Sequence, residues 1–202
     1  MRLVLGFGLI SFMQEYVPIP WRVSRALDNP IRLEMLRTVM LSSRPVSVSD
    51  ISAAVDEKES VTSQYLRMLN MQGFIVAVRR GKNVFYERRR DGDRELMRLV
   101  DELESIIEAP DWNDRVLAVL PAFSNARKTA ILSVLNKDGE ISVEVLAERS
   151  FMPVKTCYRI VGELAALGFA KLSVNATVLA VPQEERFAKA FLEFAMVNSH
   201  KL

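Results

Sequence analysis

Hydrophobic residues recur every three or four positions in several separate stretches of the chain, which is the spacing of amphipathic helices. The clearest early stretch, "NPIRLEMLRTVML", keeps Ile31, Met35, Leu36 and Met40 on one face and starts at Asn29, a candidate N-cap, followed by a first-turn proline. The pattern predicts further helices over "RVSRAL", "SVSDISAAV" and "SVTSQYLRMLNMQ".

The pattern changes after Gly73, which is placed to end a helix in the left-handed conformation. "FIVAVR" and "NVFYER" predict two short strands on either side of a turn at 80–82. Helices separated by short turns and followed by a hairpin describe a winged helix-turn-helix.

The helix predicted over "SVTSQYLRMLNMQ", the third of this winged helix-turn-helix, carries a narrow polar face near its N-terminus, and the hairpin tip is basic. A helix that enters the major groove of DNA needs such a face, because Gln and Ser bond to base edges. Cations at the tip would meet the phosphate backbone or the minor groove, and Arg88 to Arg90 extend that charge. The alternative is a solvated surface, or a winged helix that binds protein. The candidate DNA-binding residues are Lys58, Ser60, Ser63, Gln64, Arg67, Arg79, Arg80, Lys82 and Asn83.

Charge divides unevenly between the two parts of the chain. Residues 1–90 carry 14 Lys/Arg and 8 Asp/Glu, whereas residues 91–202 carry 13 and 17. This asymmetry suggests that the first part meets an anion. The single Cys excludes an internal disulfide and favours a reducing compartment, so we expect a cytoplasmic protein that associates with the nucleoid when bound to DNA.

The apolar start "MRLVLGFGLISFM" is too short to span a bilayer and is a poor signal peptide. It is either a buried element, a dimer contact, or a consequence of translation that begins at Met13 rather than Met1.

An internal repeat follows the first module. The segment 47–74 aligns without gaps, at an offset of 95, with "SVEVLAERSFMPVKTCYRIVGELAALGF", and "AKLSVNATVLAV" predicts a second hairpin. Upstream, "SNARKTAILSVL" matches "DNPIRLEMLRTV" with a slip of one residue. The fold is therefore predicted to be mainly α with small β-hairpin wings, as tandem winged helix-turn-helix domains joined by a helix.

The second module differs from the first at the predicted DNA face. Its wing, 173–177, has no basic residue at the tip, although Lys155 and Arg159 lie on its third helix. A role in dimerisation or protein contact is favoured over DNA contact. Cys157 on that helix is interpreted as a small core residue rather than a redox switch.

Two further amphipathic helices are predicted, over "GDRELMRLVDELESIIEAP" and "EERFAKAFLEFAMV". The first either builds a homodimer or packs within the chain. The predicted divisions are an apolar segment 1–21, a DNA-binding domain 22–90, a connecting helix 91–110, a second winged helix 111–182 and a terminal helix 183–202.

The first module resembles the ArsR-type family of repressors. The resemblance rests on Ala26, Leu27, Asn29, Pro30 and Arg32, on Ser63, Leu66, Leu69, Gly73 and Phe74 before the wing, and on Val84, Phe85 and Tyr86 within it. The resemblance implies a dimeric repressor that binds double-stranded DNA. The family's metal sensors carry a Cys-x-Cys in the helix that corresponds to "SVSDISAAV", and this chain has none there. The only His is His200, so the resemblance does not imply metal sensing.

No pattern of enzyme chemistry is found in the sequence. It has no P-loop, no dinucleotide turn, no Cys pair and no His for a triad, so no cofactor or metal is expected. Three hypotheses remain: a dimeric transcriptional regulator that does not sense metal, a tandem winged-helix scaffold similar to the accessory subunits of chromosome-condensation complexes, and a regulator with a small-molecule or protein effector, the small molecule in a pocket between the modules.

Overall fold

The computed structural model describes residues 19–198, and in this range the elements follow the same order twice. The first series is α1 (Pro20–Leu27), α2 (Pro30–Met40), β1 (Val46–Ser47), α3 (Val48–Ala54), α4 (Glu59–Met71), β2 (Ile75–Arg80), β3 (Asn83–Arg88) and α5 (Arg94–Ile106). The second is α6 (Trp112–Val119), a 3₁₀ segment (Leu120–Phe123), α7 (Ala126–Asp138), β4 (Ile141–Ser142), α8 (Val143–Arg149), α9 (Val154–Ala166), β5 (Ala170–Leu172), β6 (Thr177–Ala180) and α10 (Arg186–Asn198).

Each series contains a three-stranded antiparallel sheet in which the short first strand pairs with the third. The strand orders are β1-β3-β2 and β4-β6-β5. The predicted fold, mainly helical with two hairpin wings in tandem, is confirmed. The prediction omitted α6, the 3₁₀ segment that follows it, and the short strands β1 and β4 that complete the two sheets.

Matching side chains cap the matching helices of the two modules. The Asn29 side chain accepts a hydrogen bond from the backbone N–H of Arg32 at 3.0 Å, and Asn125 accepts one from Lys128 at 3.0 Å. Such caps satisfy N–H groups that have no partner within the helix. The same local chemistry therefore starts α2 and α7.

Arg32 holds the turn between α1 and α2. Its guanidinium donates to the carbonyl oxygens of Ala26 at 2.7 Å and Arg25 at 2.8 Å, and it lies 5.1 Å from the ring centre of Tyr65. Burial lowers the pKa of this guanidinium. Lys128 acts similarly in the second module, where its Nζ donates to the carbonyl of Pro121 at 3.0 Å. The arginine of the ArsR-like motif is thus a structural residue here.

A glycine in the left-handed conformation ends α4 and another ends α9. The sequence predicts this ending for α4. Gly73 has φ +84° and Gly168 has φ +77°. Their surroundings differ, because a Cβ on Gly73 would lie 2.7 Å from Cδ2 of Leu96, whereas nothing lies within 4 Å of a Cβ on Gly168. Gly73 therefore lets α5 approach the end of α4.

The two modules share one hydrophobic core. Helix α5 packs against α10, and α1 packs against the 3₁₀ segment, α7 and α10. Phe123 stacks on Phe191 with ring centres 4.4 Å apart. Of the two roles left open for the helix after the first wing, packing within the chain is the one observed.

The predictions for the apolar N-terminal segment fall on residues outside the described range. Within residues 19–198, no helix combines the length and apolar character needed to cross a membrane.

Candidate nucleic-acid interface

A groove between helix α4 and the first hairpin forms the centre of the candidate interface. Its mouth is flanked by polar residues of α4 and by Arg79 of β2, with the aromatic ring of Tyr86 at its side. The groove is lined by Val48, Ser63, Arg67, Asn70, Ala77, Arg79, Val84 and Tyr86.

Helix α4 is oriented by the residues that it buries. Thr62, Leu66 and Leu69 point into the core, as the spacing predicts, with Thr62 rather than Val61 fully buried. Tyr65 is half-buried against the core and contacts Arg32. The opposite face of α4 is therefore open to solvent.

All nine candidate DNA-binding residues reach the surface. Ser63 is half-buried and the others are exposed. The structure brings Ser63, Arg67 and Arg79 together along the groove, while Lys58 and Ser60 lie at the N-terminal end of α4. A narrow polar helix face with cations on its flank is the arrangement that major-groove readers present.

Arg67 lines the groove and bonds to the backbone of its own helix. Its Nε donates to the carbonyl oxygen of Ser63 at 3.0 Å. Burial raises the pKa of the Tyr86 hydroxyl, and the nearby charge of Arg67 partly opposes that rise. Arg67 and Tyr86 thus line the same groove.

The first wing ends in a two-residue turn that projects its charges. Arg80 pairs with Asn83 in the ladder, and Gly81 has φ +62°. The Arg80 guanidinium lies 5.5 Å from the ring centre of Phe85, whereas Lys82 and Asn83 are exposed. Adjacent residues of a strand face opposite sides, so Arg79 and Arg80 charge both faces of the hairpin.

Arg88 does not extend the basic wing, contrary to the expectation from sequence. Its guanidinium lies 2.6 Å from Asp101 and 2.7 Å from Glu104 of α5, and its side chain is 16% exposed. Two carboxylates neutralise it, so only Arg90 of that run is fully exposed.

Asn70 is the groove residue that sequence analysis missed. It follows Ser63 by seven positions and Arg67 by three, so all three lie on one stripe of α4. That spacing was the available signal.

The equivalent face of the second module exposes large apolar side chains, and an ion pair neutralises part of its positive charge. Phe151 and Val174 are almost fully exposed, in the turn before α9 and in the second wing. Arg159 is paired with Glu163 on the same helix, and Glu163 also lies 3.0 Å from Lys128. The hydrogen bond from Lys128 lowers the pKa of Glu163, and Arg159 adds to that effect.

Cys157 is fully buried on the inner side of α9. Burial raises the pKa of its thiol to about 11, so the thiol is protonated at neutral pH. The interpretation of Cys157 as a core residue is confirmed.

Among residues 19–198, His, Cys, Asp and Glu side chains nowhere form a group of three or more that could hold a metal ion. His200 lies outside the described residues.

Comparison with protein families identifies both modules. Residues 29–76 match the bacterial regulatory proteins of the arsR family, and residues 124–171 match the winged helix-turn-helix DNA-binding family. A search among curated proteins finds no match to the chain. The first match covers α2 to α4 and the start of β2, and the second covers α7 to α9 and the start of β5. The chain therefore carries two winged helix-turn-helix domains in tandem, the first of them similar to the arsR family.

Proposed function

We propose that the protein is a transcriptional regulator that recognises a specific sequence of double-stranded DNA through its first module. The observation that carries this proposal is the groove in which Ser63 and Arg67 of the polar face of α4 lie beside Arg79 of the wing. Residues of α4 would contact base edges, and Arg79, Arg80 and Lys82 would contact phosphates on the flank.

The mode of regulation is proposed from the match to the arsR family. We propose repression, because a protein bound at a promoter excludes others from it. We also propose that the regulator does not sense metal, because the helix Val48–Ala54 lacks a Cys-x-Cys. An effector that binds between the modules stays a prediction. The homodimer expected from sequence also stays a prediction, and it would need a surface other than the apolar face of α5, which α10 covers.

A protein-binding scaffold is the second candidate, favoured by one observation on the second module. Exposed Phe151 and Val154 (41% exposed) take the positions of Asp56 and Glu59 in the aligned repeat, and exposed Val174 lies in the turn of the second wing. Exposed apolar side chains that gather on one surface often mark protein contacts. This surface is compatible with a regulator that binds DNA by one module and protein by the other.

The proposal is tested by incubating the protein with fragmented genomic DNA at physiological salt and sequencing the retained fragments. Two triple variants accompany it. One replaces Arg79, Arg80 and Lys82 with Ala. The control replaces three exposed cations on α7 and α10, Arg127, Lys137 and Lys189, and so removes the same charge from helices outside both hairpins.

A few enriched sites, retained by the control and lost by the wing variant, would support a sequence-specific regulator. Absence of enrichment, or equal retention by both triple variants, would refute DNA reading by the first module and favour the scaffold.

A further inference from the structure

The contacts between the two modules join elements that occupy the same place in each repeat. Helix α5 follows the first wing and α10 follows the second, and these two helices pack against each other. Helix α1 precedes the first module, and the 3₁₀ segment occupies the equivalent place before the second. The Ser24 hydroxyl of α1 donates to the carbonyl of Leu120 in that segment at 2.9 Å.

One contact between unlike elements has a counterpart on the other side. Helix α1 packs against α7, the counterpart of α2. In return, Asn113 of α6 donates its side-chain N–H to Glu34 of α2 at 2.6 Å. When element i of one unit meets element j of the other and j meets i in return, the two units are related by a two-fold axis.

Ion pairs show that α5 and α10 run antiparallel. Arg98, in the N-terminal half of α5, lies 2.5 Å from Glu193 near the middle of α10. Glu102, further along α5, lies 2.9 Å from Arg186 at the start of α10. Antiparallel packing of equivalent helices is what a two-fold axis perpendicular to them produces.

We propose that the chain is an internal dimer, in which the second module takes the place of a second subunit, so that one chain occupies one DNA site. The apolar surface by which two separate winged helices would pair is already buried within the chain, because the buried residues of α5 and α10 belong to a single core. Those of α5 are Leu96, Leu99, Val100, Leu103 and Ile106. This inference rests on the proposed function for its DNA part and on packing alone for its stoichiometry.

The two DNA-facing sides of this internal dimer are unlike. A rotation by 180° keeps directions along its axis unchanged, so α4 and α9 tilt towards the same end of the axis. At that end α4 presents Ser63 and Gln64, whereas the equivalent positions of α9 are Tyr158 and an Arg159 that is paired with Glu163. The bound sequence is therefore expected to be asymmetric, with one strongly specified half instead of an inverted repeat.

The first test is the mass of the full chain in solution, by light scattering after gel filtration, free and bound to a duplex from the genomic selection. The free chain should have a mass of 22.9 kDa at all concentrations, and the complex should hold one chain per duplex. Twice that mass, or two chains per duplex, would overturn the internal dimer while leaving DNA binding intact. If no duplex is retained, the proposed function fails, and the mass of the free chain still decides the stoichiometry.

A second test uses the ion pairs at the two ends of the α5–α10 contact. One variant exchanges the charges on α5 (Arg98→Glu with Glu102→Arg), and another those on α10 (Arg186→Glu with Glu193→Arg), so net charge is unchanged. Each should melt earlier than wild type, and the four-fold variant should recover. An equimolar mixture of the two double variants should not recover, because the contact lies within one chain.

Recovery in the mixture would show that α5 meets α10 of another chain. Failure of the four-fold variant to recover, with both double variants destabilised, would show that these charged residues do not face each other. Either result would overturn the internal dimer. The melting temperature of wild type should also be independent of protein concentration, since no association is linked to folding.

Discussion

Replacing Gly73 with Ala tests how α4 ends and how closely α5 approaches it. Gly73 has φ +84°, and an added Cβ would lie 2.7 Å from Cδ2 of Leu96. The left-handed conformation costs an L-residue roughly 1–2 kcal/mol. Leu96 is buried, so its displacement adds an overpacking cost of about 1–3 kcal/mol.

The expected loss of stability is therefore about 2–5 kcal/mol. For a chain of this length, each kcal/mol lowers the melting temperature by about 2–4 °C. We expect thermal melting followed by circular dichroism to show a decrease of about 4–20 °C.

The repeat supplies a matched control. Gly168 has φ +77° at the equivalent position, with nothing within 4 Å of an added Cβ. Gly168→Ala should cost only the backbone contribution of roughly 1–2 kcal/mol. In a Leu96→Ala background, Gly73→Ala should cost no more than Gly168→Ala, because the clash has been removed. Equal effects of Gly73→Ala and Gly168→Ala in the wild-type background would refute the close approach of α5.

Three further predictions concern α4 and α9. Gln64→Ala should relax sequence preference at one base pair by roughly 1–3 kcal/mol, measured by competition between duplexes, and a uniform loss of affinity would show that Gln64 does not read a base. The pKa of Glu163 is lowered in the folded state, so its stabilising contribution is present above its unfolded pKa of about 4.3 and is lost as pH falls through the folded pKa. Melting of Glu163→Gln should therefore depend less on pH in the acid range than that of wild type; equal dependence would argue against the Lys128 bond. Cys157, with its pKa raised to about 11, should react with iodoacetamide at pH 8 only when the protein unfolds, and rapid labelling of the folded chain would contradict its burial.

Local signals predicted most of the fold. Asn29 before Pro30, the three- and four-residue spacing of Leu96 to Ile107, and Gly73 act over a few residues, and the structure follows them. Trp112, Val116 and Val119 also have helical spacing, but α6 is only eight residues long and lies between prolines, so its signal is weak.

Long-range contacts account for what sequence analysis missed. Arg88 is paired with residues 13 and 16 positions away, whose direction depends on how α5 rotates against the core. Sequence analysis missed the packing of α5 on α10 for the same reason, because this packing is also a long-range contact. An amphipathic pattern shows that a helix has an apolar face and does not show which other face covers it.

The salt dependence of DNA binding tests the central claim most directly. Fluorescence anisotropy with a selected duplex would compare wild type, the wing variant (Arg79, Arg80 and Lys82 to Ala) and the control variant (Arg127, Lys137 and Lys189 to Ala). Each phosphate contact contributes about 0.9 to the slope of log K against log salt, so the wing variant should lose up to about 2.7 in slope and bind more weakly, while the control matches wild type. The same slope and affinity for the wing variant and wild type would contradict DNA contact by the first wing.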